Sequence, residues 1–206
     1  MAEPIGDRHP MTPLTGGDFA ILPWQPARVT SLTAWSETSL LGMIDALGLS
    51  RPADGRYAAS TAWGRAWWVA PRRVLIVADG AVLPPVPSSS GHAVHVETAA
   101  HTGFRVEGEG RRQLLARLLP LDLGDRAFPL DGFATTRGEG VLVHLARRPI
   151  DGRDGFDLLV PSNLGRFFAE ILADAAAGLG IVVPPHLRGG LASPRLSSRE
   201  VFGRVH

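Results

Sequence analysis

The chain has 206 residues, 45% of them hydrophobic and 20% charged, with a formal net charge of +1. That is a globular balance with room for one sizeable core, and it carries too little positive charge for a nucleic-acid binder that works through a basic patch. There is no cysteine, which excludes disulfides, iron–sulfur clusters, thiolate zinc sites and thiol nucleophiles, and no lysine, which excludes a P-loop lysine and a Schiff-base lysine.

Residues 1–30 hold Pro4, Pro10, Pro13, Pro23 and Pro26 and read as an extended arm that gains order only against a partner. The first residues show no apolar h-region, and no apolar run approaches the length of a membrane span, so a cytoplasmic protein is expected. From Ser31 to Leu47 the apolar residues Leu32, Trp35, Leu40, Ile44 and Leu47 fall broadly on one helical face, and Gly48 stops that helix. Tyr57–Thr61 and Ala66–Ala70 are strand-like. Pro71-Arg72-Arg73 turns the chain, and Val74–Ala78 is a short apolar run typical of a buried strand. Residues 83–91, LPPVPSSSG, read as a loop or internal linker.

The second half is more sharply patterned. Ala93–Thr98 and Gly103–Glu107 alternate as strands, and Glu109–Leu119 is helical with a stripe of Leu114, Leu115, Leu118 and Leu119. The irregular segment LLPLDLGDRAFPLDGFATT (118–136) follows and ends in a strand at Phe133–Thr136. Gly138-Glu139-Gly140 supplies a hairpin turn into Val141–Ala146, and Asp151–Gly155 a second turn into the strand Phe156–Val160. Leu164–Leu179 carries the strongest helical periodicity in the chain, with Phe167, Phe168, Ile171, Leu172 and Ala175 on one stripe. After Ile181 the periodicity ends, and residues 182–206 read as a second extended arm, whose Leu187, Leu191, Leu196 and Phe202 suit a neighbouring surface. The order of elements predicts an α+β fold, with mixed or antiparallel sheets and helices packed on one face. The body spans 31–181, divisible into lobes 31–82 and 92–181.

No active site emerges from the residues. His92, His95 and His101 cluster in sequence, but His92 and His95 point to opposite faces of a strand and lack a carboxylate at ligand spacing. Gly108-Glu109-Gly110 opens a helix without the third glycine of a dinucleotide fingerprint, since position 113 is Gln, and Glu109 would oppose a phosphate. GxSxG is absent. Trp67 and Trp68 are adjacent on a strand and must face opposite ways, so either they pack into cores on the two faces of the strand or one of them faces a partner or an inter-lobe seam. The pairs Arg72-Arg73, Arg111-Arg112 and Arg147-Arg148 read most simply as solvated faces. A compact body with proline-rich arms at both ends suits a subunit of an assembly better than a lone enzyme.

The stretch Pro120-Leu121-Asp122-Leu123, then Arg126-Ala127-Phe128-Pro129, then a small-residue strand ending at Thr136, resembles the gamma subunit family of heterotetrameric sarcosine oxidase. The strand Phe156–Pro161 with its amphipathic helix to Gly180, and Trp67-Trp68-Val69-Ala70-Pro71 before Val74–Val77, are similar to elements of the same family, so the resemblance covers about residues 30–181. The sequence departs from the family at Leu119, where cysteine is common, and at Phe133-Ala134-Thr135-Thr136, where Cys-Ala-Gln-Thr is common. The resemblance implies a fold like the folate-binding lobe of aminomethyltransferase-type proteins. It implies no cofactor on this chain, with FAD, FMN, NAD, tetrahydrofolate and zinc held by the alpha, beta and delta partner subunits. It also implies a structural role in oxidising N-methyl amino acids such as sarcosine, dimethylglycine or N-methylglutamate. On that reading the subunit-interface residues are Trp67, Trp68, Asp122, Arg126, Phe128, Pro129, Leu187, Leu191, Leu196 and Phe202, with Arg126 pairing Asp122, Asp125 or a partner carboxylate and Phe128 inserting into a pocket of this core or of the next subunit. The competing expectation is a stand-alone tetrahydrofolate-binding protein of the aminomethyltransferase type.

Overall fold

The computed structural model describes residues 9–49, 59–61, 64–78, 91–150 and 152–187. The strands in this part are β1 (Leu14–Gly16), β2 (Phe19–Trp24), β3 (Arg28–Ala34), β4 (Ala59–Thr61), β5 (Gly64–Ala70), β6 (Arg73–Ala78), β7 (His92–Val96), β8 (His101–Gly108), β9 (Phe133–Gly138), β10 (Val141–Ile150) and β11 (Arg153–Pro161). The helices are α1 (Glu37–Ala46), α2 (Arg111–Ala116) and α3 (Gly165–Ala177). Every strand pairing is antiparallel. One sheet has six strands in the order β1-β2-β8-β11-β10-β9, the other five in the order β4-β5-β6-β3-β7.

Side-chain alternation on the strands sets the layers. On one face of the six-stranded sheet, Phe104, Val106, Phe156, Leu158, Val143 and Leu145 meet Leu114 and Leu115 of α2 and Phe168 and Leu172 of α3. Each such side chain stabilises the fold by about 1.5–3 kcal/mol relative to exposure. The other face turns Trp24, Phe133, Ala146 and Leu159 toward Val29, Trp67, Leu75 and Val77 of the five-stranded sheet. The far face of that second sheet packs Leu32, Ala66, Trp68, Val74 and Ile76 under Leu40, Met43 and Ile44 of α1. The result is an α+β stack of helix, sheet, sheet and helix, in which each sheet carries helices on one face and meets the other sheet with its second face.

Several expectations need correction. The segment 1–30 is not an arm up to residue 30: β1 and β2 form a hairpin that extends the six-stranded sheet, and Met11, Leu14, Phe19 and Ile21 are buried in its core. The prolines are compatible because Pro23 lies beyond the end of β1, where β2 is paired on one side only. The helix expected from Ser31 is a strand, β3, up to Ala34, and the helix starts only after Ser36, whose hydroxyl accepts from Ser39 N at 3.1 Å. Leu32 therefore belongs to the sheet, and Trp35 is 75% exposed. Glu109–Leu119 shortens to α2, and the second turn tightens, because β10 and β11 stay paired up to Ile150 and Arg153. The lobe boundary also fails, since β7 of the second half joins the first-half sheet while β1 and β2 join the other. At the start of the tail, Ile181, Val183 and Leu187 are buried in the main core. The linker at 83–90 and the tail beyond residue 187 lie outside the described residues.

Candidate subunit interface

The irregular segment between α2 and β9 is held in place from inside. Leu119, Leu123 and Phe128 anchor it in the core, and the ring of Phe128 lies 6.0 Å from that of Phe156. Gly124 N donates to Asp122 Oδ1 at 2.9 Å, and Phe128 N donates to Gly124 O at 2.7 Å, which closes a compact turn. Arg147 of β10 then fastens the turn to the sheet. Its Nη1 donates to Phe128 O at 2.7 Å, its Nε and Nη2 grip Asp154 at 3.0 and 2.7 Å, and Nη2 also reaches Asp125 at 2.6 Å. Arg111 and Arg112 of α2 complete the network on Asp154 and Asp125. Hydrogen bonds from Arg112 and then Arg147 hold the Asp125 carboxyl below the ordinary carboxylate range. Burial pushes the Asp154 carboxyl up, but Arg147 and Arg111 outweigh it and the net shift is downward. The bond to Asp154 raises Arg147 further. Asp125, Asp154 and Arg147 are therefore charged at neutral pH, and their ion pairs tie the crossover to the sheet.

Its outer side forms a cleft of about 290 Å³ beside β9, walled by Leu121, Phe128, Pro129, Phe133 and Ala134 and rimmed by Asp122 and Arg126. Arg126 is exposed and forms no ion pair among the described residues. The expected pairing of Arg126 with Asp122 or Asp125 is not made, because Asp122 is used by Gly124 N and Asp125 by Arg112 and Arg147.

The seam between the sheets carries a second group of polar residues. Asp157 is fully buried and accepts from Arg105 Nε at 2.9 Å, Arg65 Nη2 at 3.3 Å and Arg148 Nε. Arg105 also lies over the Trp24 ring, 4.7 Å from its centroid. Towards the Arg73–Glu97 ion pair, His144 is buried with its Nδ1 2.9 Å from Thr135 Oγ1, and its ring faces Phe133 and His101. Burial first, then the charges of His101 and Arg73, lower its pKa to about 4, so it is neutral at physiological pH.

The ten expected interface residues separate into three groups. Trp67 is fully buried in the seam and stacked on Phe133, Trp68 is buried under α1, and Phe128 and Leu187 are buried in the main core. A side chain enclosed within its own chain is not free to insert into a neighbour, so these four are corrected to core residues. Asp122, Arg126 and Pro129 come together around the cleft. Leu191, Leu196 and Phe202 lie outside the described residues. His92 and His95 project to opposite faces of β7, and no group of three His, Asp or Glu close enough to hold a metal occurs among the described residues. Gly108 and Gly110 have a steric role: a Cβ on them would meet Asp18 O at 2.3 Å and the Phe19 ring at 2.7 Å. The arginine pairs 111–112 and 147–148, expected on solvated faces, make internal ion pairs instead. Sequence reasoning missed His144 and Asp157: Asp157 gathers Arg65 and Arg105 from strands far along the chain as well as neighbouring Arg148, and His144 meets His101 of β8.

No family model matches the sequence, and no curated protein matches it. Among solved structures, the fold is similar to a chain of the heterotetrameric sarcosine oxidase from Corynebacterium sp. U-96, solved in complex with pyrrole 2-carboxylate. The TM-score is 0.71 and the identity 17%, over 87% of this chain and 95% of that one. The correspondence spans most of both chains, and at that identity it establishes a shared fold. Among the described residues no helix is long and apolar enough to cross a membrane.

Proposed function

We propose that this chain is a gamma-type structural subunit of a multi-subunit, flavin-dependent oxidase that demethylates sarcosine or a related N-methyl amino acid. The observation that carries the reading is the match of nearly the whole fold to nearly the whole of one chain of a heterotetrameric sarcosine oxidase. The PLDL…RAFP run supports it from the sequence side: it forms the fastened crossover, with its charged rim left to solvent. In this assembly FAD, FMN, NAD, tetrahydrofolate and zinc belong to the alpha, beta and delta subunits. A flavin held by a partner subunit would supply the two-electron oxidation of the N-methyl amine to an iminium, and the present chain would support the large folate-binding subunit.

The test is a mild affinity purification of the tagged chain from its native host, followed by an absorbance spectrum and an activity assay on N-methyl amino acids. Stoichiometric larger subunits with a flavin spectrum and sarcosine-type oxidation are expected. A lone, colourless chain would overturn the assignment.

A further inference from the structure

Among the described residues the six-stranded sheet ends at β9, which pairs there only with β10. The loop between them has two residues, Glu139 at φ 49° and Gly140 at φ 83°, the pattern of a type I′ hairpin. In such a loop the flanking residues, here Gly138 and Val141, are the hydrogen-bonded pair, and bonded pairs then alternate along the ladder. Gly138, Thr136 and Ala134 therefore turn their main-chain groups toward β10. Phe133, Thr135 and Arg137 turn theirs outward, and no described residue bonds to them there. An edge of this kind is ready to pair with another strand. Its first residues border the cleft walled by Leu121, Phe128 and Pro129, and Arg126, exposed and without an ion pair among the described residues, stands at the rim.

We propose that β9 is an intersubunit edge: an extended strand of a partner subunit adds to it, seats one apolar side chain in the cleft, and sets a carboxylate against Arg126. Three features select this occupant. The outward main-chain groups of Phe133, Thr135 and Arg137 call for a backbone in β conformation. The apolar walls beside them call for one non-polar side chain at the Phe133 end. The guanidinium of Arg126 calls for an anion, whereas the Asp122 carboxylate already accepts from Gly124 N. Of the other sheet ends, β1 and β4 are three residues long, and β7, with five, contributes no residue to the cleft. The inference rests on the assignment of this chain as a subunit and specifies where the contact lies.

Residue-resolved amide exchange on the free chain and on the complex purified from the native host tests it. In the free chain the amides of Ala134, Thr136 and Gly138 are protected and those of Phe133, Thr135 and Arg137 exchange rapidly. In the complex the latter three are expected to slow at least tenfold. Arg126→Glu, at an exposed site, is expected to lower partner recovery at least tenfold without moving the thermal midpoint. Thr135→Pro removes the outward N–H together with the Oγ1 contact to His144, and is expected to lower partner recovery well below that of Thr135→Val, which loses the side-chain contact alone. A complex in which all three amides keep their free-chain rates would overturn the edge assignment and leave the subunit reading intact. Failure to recover any flavoprotein would overturn both. Protection that grows with the concentration of the chain alone would give the edge to a second copy and overturn the partner strand.

Discussion

The two faces of the six-stranded sheet are built on different terms. The helix-side face is a continuous apolar core closed by α2 and α3, with its arginine–aspartate network at the rim around Arg147. The seam face has a smaller apolar contact centred on Trp67 and Phe133, and there ionisable groups, Asp157 and His144, are enclosed between the sheets. The apolar part of the first face loses stability through cavities and is itself indifferent to pH. A face that encloses ionisable groups depends on each of them keeping its partners and its protonation state.

The largest effect is expected on the apolar side. Phe168 is fully buried between α3 and Phe104, with ring centroids 5.7 Å apart. Phe168→Ala should cost about 3–5 kcal/mol in urea unfolding, with no change in pH dependence. On the seam side, Asp157→Ala removes a carboxylate shared by Arg65, Arg105 and Arg148 and leaves their guanidinium groups crowded between the sheets. A loss of about 3 kcal/mol is expected. A near-neutral result for Asp157→Ala would mean that the seam tolerates charge imbalance as a surface does.

The histidine sharpens the contrast through its sign. Above pH 6.5 His144 is neutral in both folded and unfolded chains and contributes no pH dependence. Below 6.5 the unfolded chain takes up a proton that the folded chain refuses until about pH 4. Stability should therefore fall as pH drops from 6.5 to 4, by about 2–3 kcal/mol in total. The groups facing His144 include His101 and the Arg73 guanidinium, so its protonation would set a second cation beside Arg73 at that end of the seam. His144→Leu should remove this slope, measured as the difference between variant and parent unfolding curves across that window. Retention of the full slope would assign it to other groups.

The same contrast explains what the sequence made legible. α3 shows its apolar stripe openly because only one of its faces is buried, and the β9–β10 hairpin is announced by Gly138-Glu139-Gly140, which accommodates positive φ at two successive positions. β3 was obscured because Leu32 and Trp35 fall by coincidence into helical spacing with α1, although Thr30, Ser31 and Thr33 and the Ser36 cap favour a strand followed by a helix start. β1 and β2 were hidden by prolines that matter little where a strand is bonded on one side. The arginine pairs were opaque for a longer-range reason. Neighbours on a strand face opposite ways, so Arg147 goes to Asp154 on the helix side and Arg148 to Asp157 in the seam, and only the β10–β11 register reveals this. Of the candidate interface, the crossover motif was legible as a motif, but which of its side chains remain outside depended on how it folds back onto the sheet.

The smallest expected effect on stability separates two arginines that meet the same crossover. Arg147 is buried and donates to Phe128 O while gripping Asp154, so Arg147→Met should cost about 1–3 kcal/mol by leaving that carbonyl and carboxylate poorly matched. Arg126 is exposed on the outer side and holds nothing within the described chain, so Arg126→Ala should change stability by less than about 0.5 kcal/mol. Chemical unfolding of the two variants in parallel checks the pair. If Arg126→Ala proved as costly as Arg147→Met, the outer arginine would be a fastening of the crossover itself, and the rim of the cleft would lose its claim to face a partner.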